Sequence, residues 1–131
     1  MAGNKEFGER LRQLREERKR SNPAFSLRKF AQEAGISATF LSKIERGEFD
    51  PPKADKIIRM AKLLDVDPDE LLALADKVDP SLNEIIREQP VALADFLRTA
   101  RGMSAEELIK ITAKVRRERE QNDQVNEGED S

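Results

Sequence analysis

The chain contains no cysteine, histidine, tryptophan or tyrosine, and its aromatic residues are six phenylalanines. Without cysteine there is no disulfide framework and no thiolate chemistry. With histidine also missing, the usual zinc and copper ligands are absent, and so is the commonest general base. No apolar run approaches the roughly 18 residues of a helical membrane span. The opening "MAGNKEFGERLR" carries no apolar signal core. These absences point away from a metal, a cofactor, catalysis or a membrane, and toward a cytoplasmic protein.

What the chain has in abundance is charge. Of its 131 residues, 38% are Asp, Glu, Lys or Arg, against about a quarter in an ordinary domain. The net charge of −2 hides an asymmetry. Residues 1–66 hold 15 basic and 10 acidic side chains, and residues 67–131 hold 9 and 16. A basic first half beside an acidic second half suggests different partners for the two, because a polyanion feels the nearby face and not the mean.

Hydrophobic spacing is helical throughout, and no stretch reads as a strand. Phe7, Leu11 and Leu14 form one stripe. "SNPAF" is a turn, after which Ser26 is placed to cap a second helix with Leu27, Phe30 and Ala31 inward. Gly35 interrupts the pattern, and a third helix runs from Ser37 to Gly47. Ile57, Ile58, Ala61 and Leu64 mark a fourth helix. Asp67, with Pro68 at the first helical position and Glu70 two residues on, starts a fifth. Two further capping boxes, Ser81 with Glu84 and Ser104 with Glu107, start helices in the second half, and Pro90 opens one between them. From residue 118 the sequence is polar and is expected to be a disordered acidic tail. The paired acids Glu106–Glu107 and Asp67–Asp69 read as first-turn charge rather than as a catalytic pair.

A glycine in a helix interior costs about 1 kcal/mol relative to alanine, so Gly35 needs a reason. It fits the turn of two helices meeting at a steep angle, where a positive φ is free of Cβ strain. On a wheel of the third helix, Leu41, Ile44 and Ser37 share one side. Thr39, Ser42, Lys43 and Arg46 share the other, with no carboxylate among them. The one acid inside this helix, Glu45, lies next to the apolar stripe. A DNA-facing helix has this composition, since a carboxylate would repel phosphate while Thr, Ser and Lys reach base edges and backbone. Taken alone, the same face also suits simple solvation.

The wider pattern is more specific. "FAQEAGISATFLSKIERGEFDPPKADKIIRMAKLLDVDPDELL", together with "FGERLRQLREER" before it, resembles the lambda-repressor-like (Cro/Xre type) helix-turn-helix family over roughly residues 5–78. The resemblance implies an all-α fold: a five-helix DNA-binding domain (1–78), a small three-helix C-terminal region (79–117) and the tail (118–131). It implies that helix 37–46 lies in the major groove of double-stranded DNA, with Ala38, Thr39, Ser42 and Lys43 toward the bases. Ser26, Arg28, Gln32, Ser37 and Arg46 are then placed toward phosphates, and Arg15 pairs with Glu45 as an internal strut. Two features depart from the family pattern. "KRSNPAF" is a long connection, and Leu27 replaces a glutamine, passing any phosphate role there to Ser26 or Arg28.

The implied function is a sequence-specific transcriptional regulator, a repressor that binds a two-fold symmetric operator as a homodimer, associated with the nucleoid. No cofactor, metal or membrane is implied. Leu93, Phe96, Leu97, Leu108, Ile109 and Val115 are expected to supply dimer contacts, the alternative being that they pack as intramolecular core. The alternative function is an interaction protein of the antitoxin or peptidase-regulated type. Its C-terminal half would bind a toxin or a metallopeptidase, and its DNA binding would be autoregulatory.

Overall fold

Capping residues and turn residues set the helix limits. In the computed structural model, which describes the backbone of residues 3–129 and the side chains of residues 3–125, there are eight helices and no strand among the described residues. They are α1 (Lys5–Ser21), α2 (Leu27–Ala34), α3 (Ala38–Glu45), α4 (Ala54–Leu64), α5 (Pro68–Leu74), α6 (Pro80–Glu88), α7 (Pro90–Thr99) and α8 (Ala105–Glu129). The Asn4 side chain accepts from the Phe7 N–H at 2.9 Å and caps α1. Its amide also donates to the Leu74 carbonyl at 2.9 Å, tying the start of α1 to the end of α5. Ser26 and Ser37 accept from the N–H groups of Lys29 and Phe40, at 3.1 and 3.0 Å, and cap α2 and α3, the first as expected.

The chain divides into two units, Met1–Ile85 and Ile86–Ser131. The division falls inside α6, whereas the sequence reading placed it after Val78. In the first unit α1 packs on α3, α4 and α5, α2 packs on α3 and α4, and α4 packs on α5. The core is shared by all five helices. Phe7, Leu11, Phe30, Leu41, Ile44, Ile57, Met60, Leu71 and Leu72 are fully buried in it, each contributing about 1.5–3 kcal/mol by removing apolar surface from water. Phe25 is also buried, its ring 5.2 Å from that of Phe30. The "SNPAF" turn is therefore anchored by a side chain that its polar neighbours concealed.

The second unit is different. Phe96, Leu97, Leu108, Ile109 and Val115 are all exposed, and Leu93 is half-buried. None belongs to the buried core cluster. Two local readings need correction. Asp79, not Ser81, caps α6: its carboxylate accepts from the Ser81 N–H at 2.9 Å, and this bond holds its pKa below the ordinary aspartate value. Pro80 takes the first helical position, which moves the cap one residue ahead of it.

The second correction concerns the tail. Residues expected to be disordered from 118 continue α8 as far as Glu129, and residues 130–131 lie outside the described part. The Ser104–Glu107 box nucleates this helix, with Ser104 Oγ accepting from the Glu107 N–H at 3.1 Å. Once nucleated, a helix extends at little cost through Arg, Glu and Gln. No glycine or proline intervenes before Gly128, and Arg116 and Arg119 stand four residues ahead of Glu120 and Asp123.

Candidate nucleic-acid interface

Two short helices flank Gly35. Its φ is +79°, in the left-handed region. The Ile36 N–H reaches back to the Ala31 carbonyl at 3.0 Å and the Gly35 N–H to that of Gln32 at 3.2 Å, closing α2. The chain then leaves at a new angle, and Ser37 starts α3. Gly47, at φ +74°, ends the α3 segment in the same manner.

Glu45 is held as the wheel suggested. Arg15 Nε donates to Glu45 Oε2 and a second guanidinium nitrogen to Oε1, both at 2.8 Å, a two-point pair across 30 residues of sequence. The two side chains are only 11% and 4% exposed. The hydrogen bond to Glu45 raises the Arg15 pKa above its ordinary value, outweighing burial, which acts in the opposite direction. Arginine's share of this stabilisation is fully present below its ordinary pKa and is lost as pH rises through the raised value.

A second support for α3 was not foreseen from sequence. Gly8 is buried in α1, and a Cβ there would collide with the backbone carbonyl oxygens of Ile44 and Glu45. Only glycine lets α1 approach the end of α3 this closely. A glycine inside an otherwise regular apolar helix stripe was the available signal.

On the outward side of α3, Thr39 is exposed and Ala38, Ser42 and Lys43 are half-buried. No acid interrupts this face. Lys43 is positioned: its Nζ lies 4.8 Å from the centre of the Phe49 ring, and Phe49 packs on Phe40 with ring centres 5.8 Å apart. Arg46, the C-terminal cap of α3, donates to the Ser42 carbonyl at 3.3 Å and lies 3.5 Å from Glu48. Arg28 and Gln32 on α2 are exposed, as is Ser37. The Ser26 and Ser37 hydroxyls accept backbone bonds as caps, and each keeps its own O–H free to donate. Leu27 is half-buried against the core, consistent with a packing role.

A helical bundle that presents one short helix beyond a glycine turn, with a cation-bearing outer face free of acid, defines the helix-turn-helix class. The chain belongs to the helix-turn-helix domain family: residues 6–74 match the family model for a helix-turn-helix domain. Among curated proteins it is similar to RghRB of Bacillus subtilis (strain 168), an uncharacterized HTH-type transcriptional regulator. The two are 35% identical over 79 residues, covering 60% of this chain and 53% of the relative. It is also similar to the HTH-type transcriptional regulator SlrR of the same strain, at 29% identity over 99 residues, 76% of this chain and 64% of SlrR. The chain thus spans between about half and two thirds of the length of these relatives. Among solved structures, the controller protein C.AhdI from Aeromonas hydrophila is 30% identical over 51% of this chain and 88% of its own, with a TM-score of 0.43. SinR in complex with DNA is 32% identical over 50% of this chain and 97% of its own, also with a TM-score of 0.43. Among the described residues no helix is long and apolar enough to cross a membrane.

Proposed function

We propose that the protein is a sequence-specific repressor that binds a two-fold symmetric operator as a homodimer, with α3 of each copy in the major groove. The observation that carries this reading is the acid-free outer face of α3, in a chain where acids outnumber bases. Thr39 and Lys43 face base edges, Ser42 assists them, and Ala38 offers a methyl contact to thymine. Ser26, Ser37, Arg28, Gln32 and Arg46 face the phosphates on either side. The Arg15–Glu45 pair fixes the angle at which α3 is presented and touches no base. In a two-fold operator the half-sites lie about 34 Å apart, one helical turn. Such a protein acts at the nucleoid, in the cytoplasm.

The test begins by selecting the preferred duplex from a random pool. Lys43→Ala and Thr39→Ala are each expected to cost about 1–3 kcal/mol of binding to that duplex, with little change on random DNA. Arg28→Ala should weaken both and reduce the salt slope by about one. Unchanged operator affinity in Lys43→Ala at fixed salt would refute the assignment of α3. Phe49→Ala is expected to release Lys43 and weaken operator binding roughly two- to fivefold, the worth of an exposed cation–π contact. Titration of the same duplex at several salt concentrations separates this from a phosphate effect, because the slope should not change.

The exposed apolar side chains of α6–α8 favour a second reading, in which a protein partner such as a toxin or a metallopeptidase covers them. A purified chain that dimerises and binds its operator alone decides for the first.

A further inference from the structure

We infer that the N-terminal segment 3–5 is a strap on the loop after α3, which makes Gly3 and Asp50 positioning residues for Lys43. This rests on the reading of Lys43 as a base-contacting residue and says what aims it.

The loop 47–50 is tied to Lys43 in two ways. The N–H groups of Glu48 and Phe49 both reach the Lys43 carbonyl, at 2.9 and 3.4 Å. The Phe49 ring lies beneath the Lys43 ammonium, 4.8 Å from it. Phe49 is 40% exposed, so its packing on Phe40 leaves one side of the ring open. A side chain that open stays in place only if its backbone is held.

The start of the chain holds it. The Gly3 N–H donates to Asp50 Oδ1 at 2.7 Å, across 47 residues of sequence, and the charge on the acceptor strengthens the bond. Gly3 has a φ of +108° and sits so close to the Gly47 carbonyl that a Cβ on it would collide there. Lys5 closes on Gly47 as well: a Cβ on Gly47 would stand 2.7 Å from Lys5 Cγ. The strap is itself rooted, because Asn4 caps α1 and donates to the Leu74 carbonyl. A continuous line of contacts therefore runs from the end of α5 through Asn4, Gly3, Asp50 and Phe49 to the ammonium of Lys43. Asp50 also puts a negative charge close to the face proposed for DNA, so its variants are compared at equal charge.

In the full chain, Asp50→Ala removes the acceptor, while Asp50→Asn keeps an acceptor oxygen at the same net charge as Asp50→Ala. Asp50→Ala is expected to bind the selected operator about two- to fivefold more weakly than Asp50→Asn, up to the worth of the exposed cation–π contact that it loosens. On random DNA the two should bind alike. Gly3→Ala should behave as Asp50→Ala does. With Lys43→Ala already in place, the difference between Asp50→Ala and Asp50→Asn should vanish, because the strap then has nothing to aim. NMR of the free protein gives a readout that needs no DNA. The ε-methylene protons of Lys43 should be shifted upfield by the Phe49 ring in the wild type and in Asp50→Asn, and return toward free lysine in Asp50→Ala and Gly3→Ala. Thermal circular dichroism confirms that each variant is folded. An upfield shift that survives Asp50→Ala and Gly3→Ala, or a binding difference that persists undiminished with Lys43→Ala, overturns the strap while the reading of α3 stands. Unchanged operator affinity in Lys43→Ala overturns the reading of α3 and, with it, the strap's part in DNA binding.

Discussion

Arg15→Ala lowers the folding stability of the first unit by about 3–5 kcal/mol, because it leaves the Glu45 carboxylate buried without a counter-charge. For a domain of this size each kcal/mol moves the melting temperature by about 4–8 °C, so the expected drop is large and is read by thermal circular dichroism. Glu45→Ala should cost a similar amount by leaving the guanidinium unpaired. The pair itself has a smaller net worth than either deletion suggests. Desolvating both ions offsets much of their attraction, so replacing both together, Arg15→Met with Glu45→Leu, should recover most of the lost stability. A single-variant loss below about 1 kcal/mol would mean that water reaches the pair and that α3 is held by apolar packing alone. Because neither residue faces the groove, the double variant should also keep its preference among DNA sequences. That outcome separates a strut from a base-reading residue.

Truncation after Val78 produces the largest expected effect on DNA binding. The shared core of α1–α5 lies between Phe7 and Ala75, so the truncated chain keeps every buried apolar residue of that unit and should fold by itself. It loses α6–α8, the proposed source of dimer contacts. Linking two reading heads converts the second binding event into an intramolecular one, worth about 10²–10⁴ in apparent affinity. The truncated chain is therefore expected to bind the full operator about 10²–10⁴-fold more weakly than the intact protein and a single half-site about equally well. Fluorescence anisotropy on both duplexes checks it, with sedimentation on the free protein. A truncated chain that remains dimeric would place the dimer contact on the first unit.

The parts of the structure that were legible in the sequence are those whose causes lie within one helical turn. Ser26 caps α2 because a hydroxyl meets an N–H three residues on. Gly35 and Gly47 end their helices because only a left-handed residue releases the chain there without strain. The acid-free face of α3 is a matter of spacing, and so is the position of Glu45 beside the apolar stripe. The same local reasoning misplaced the α6 cap at Ser81, whereas Pro80 takes the first helical position and leaves Asp79 as the cap. It also underestimated α8, where a capped helix propagates through polar residues that have nothing to bury.

Other features depend on what lies opposite. Phe25 is buried because Phe30 is there to receive it. Gly8 is needed because the carbonyls of Ile44 and Glu45 pass where its Cβ would stand. Lys43 is held because the loop after Gly47 returns Phe49 to it. By itself the sequence determined the order of the helices, the turn between the two that matter and the chemistry of the outward face, since each follows from bonds and periodicity along a single helix. Tertiary structure alone decided which glycine of α1 is indispensable and which lysine is fixed in direction. Those outcomes require partners tens of residues away, and their identity is set by how whole helices pack.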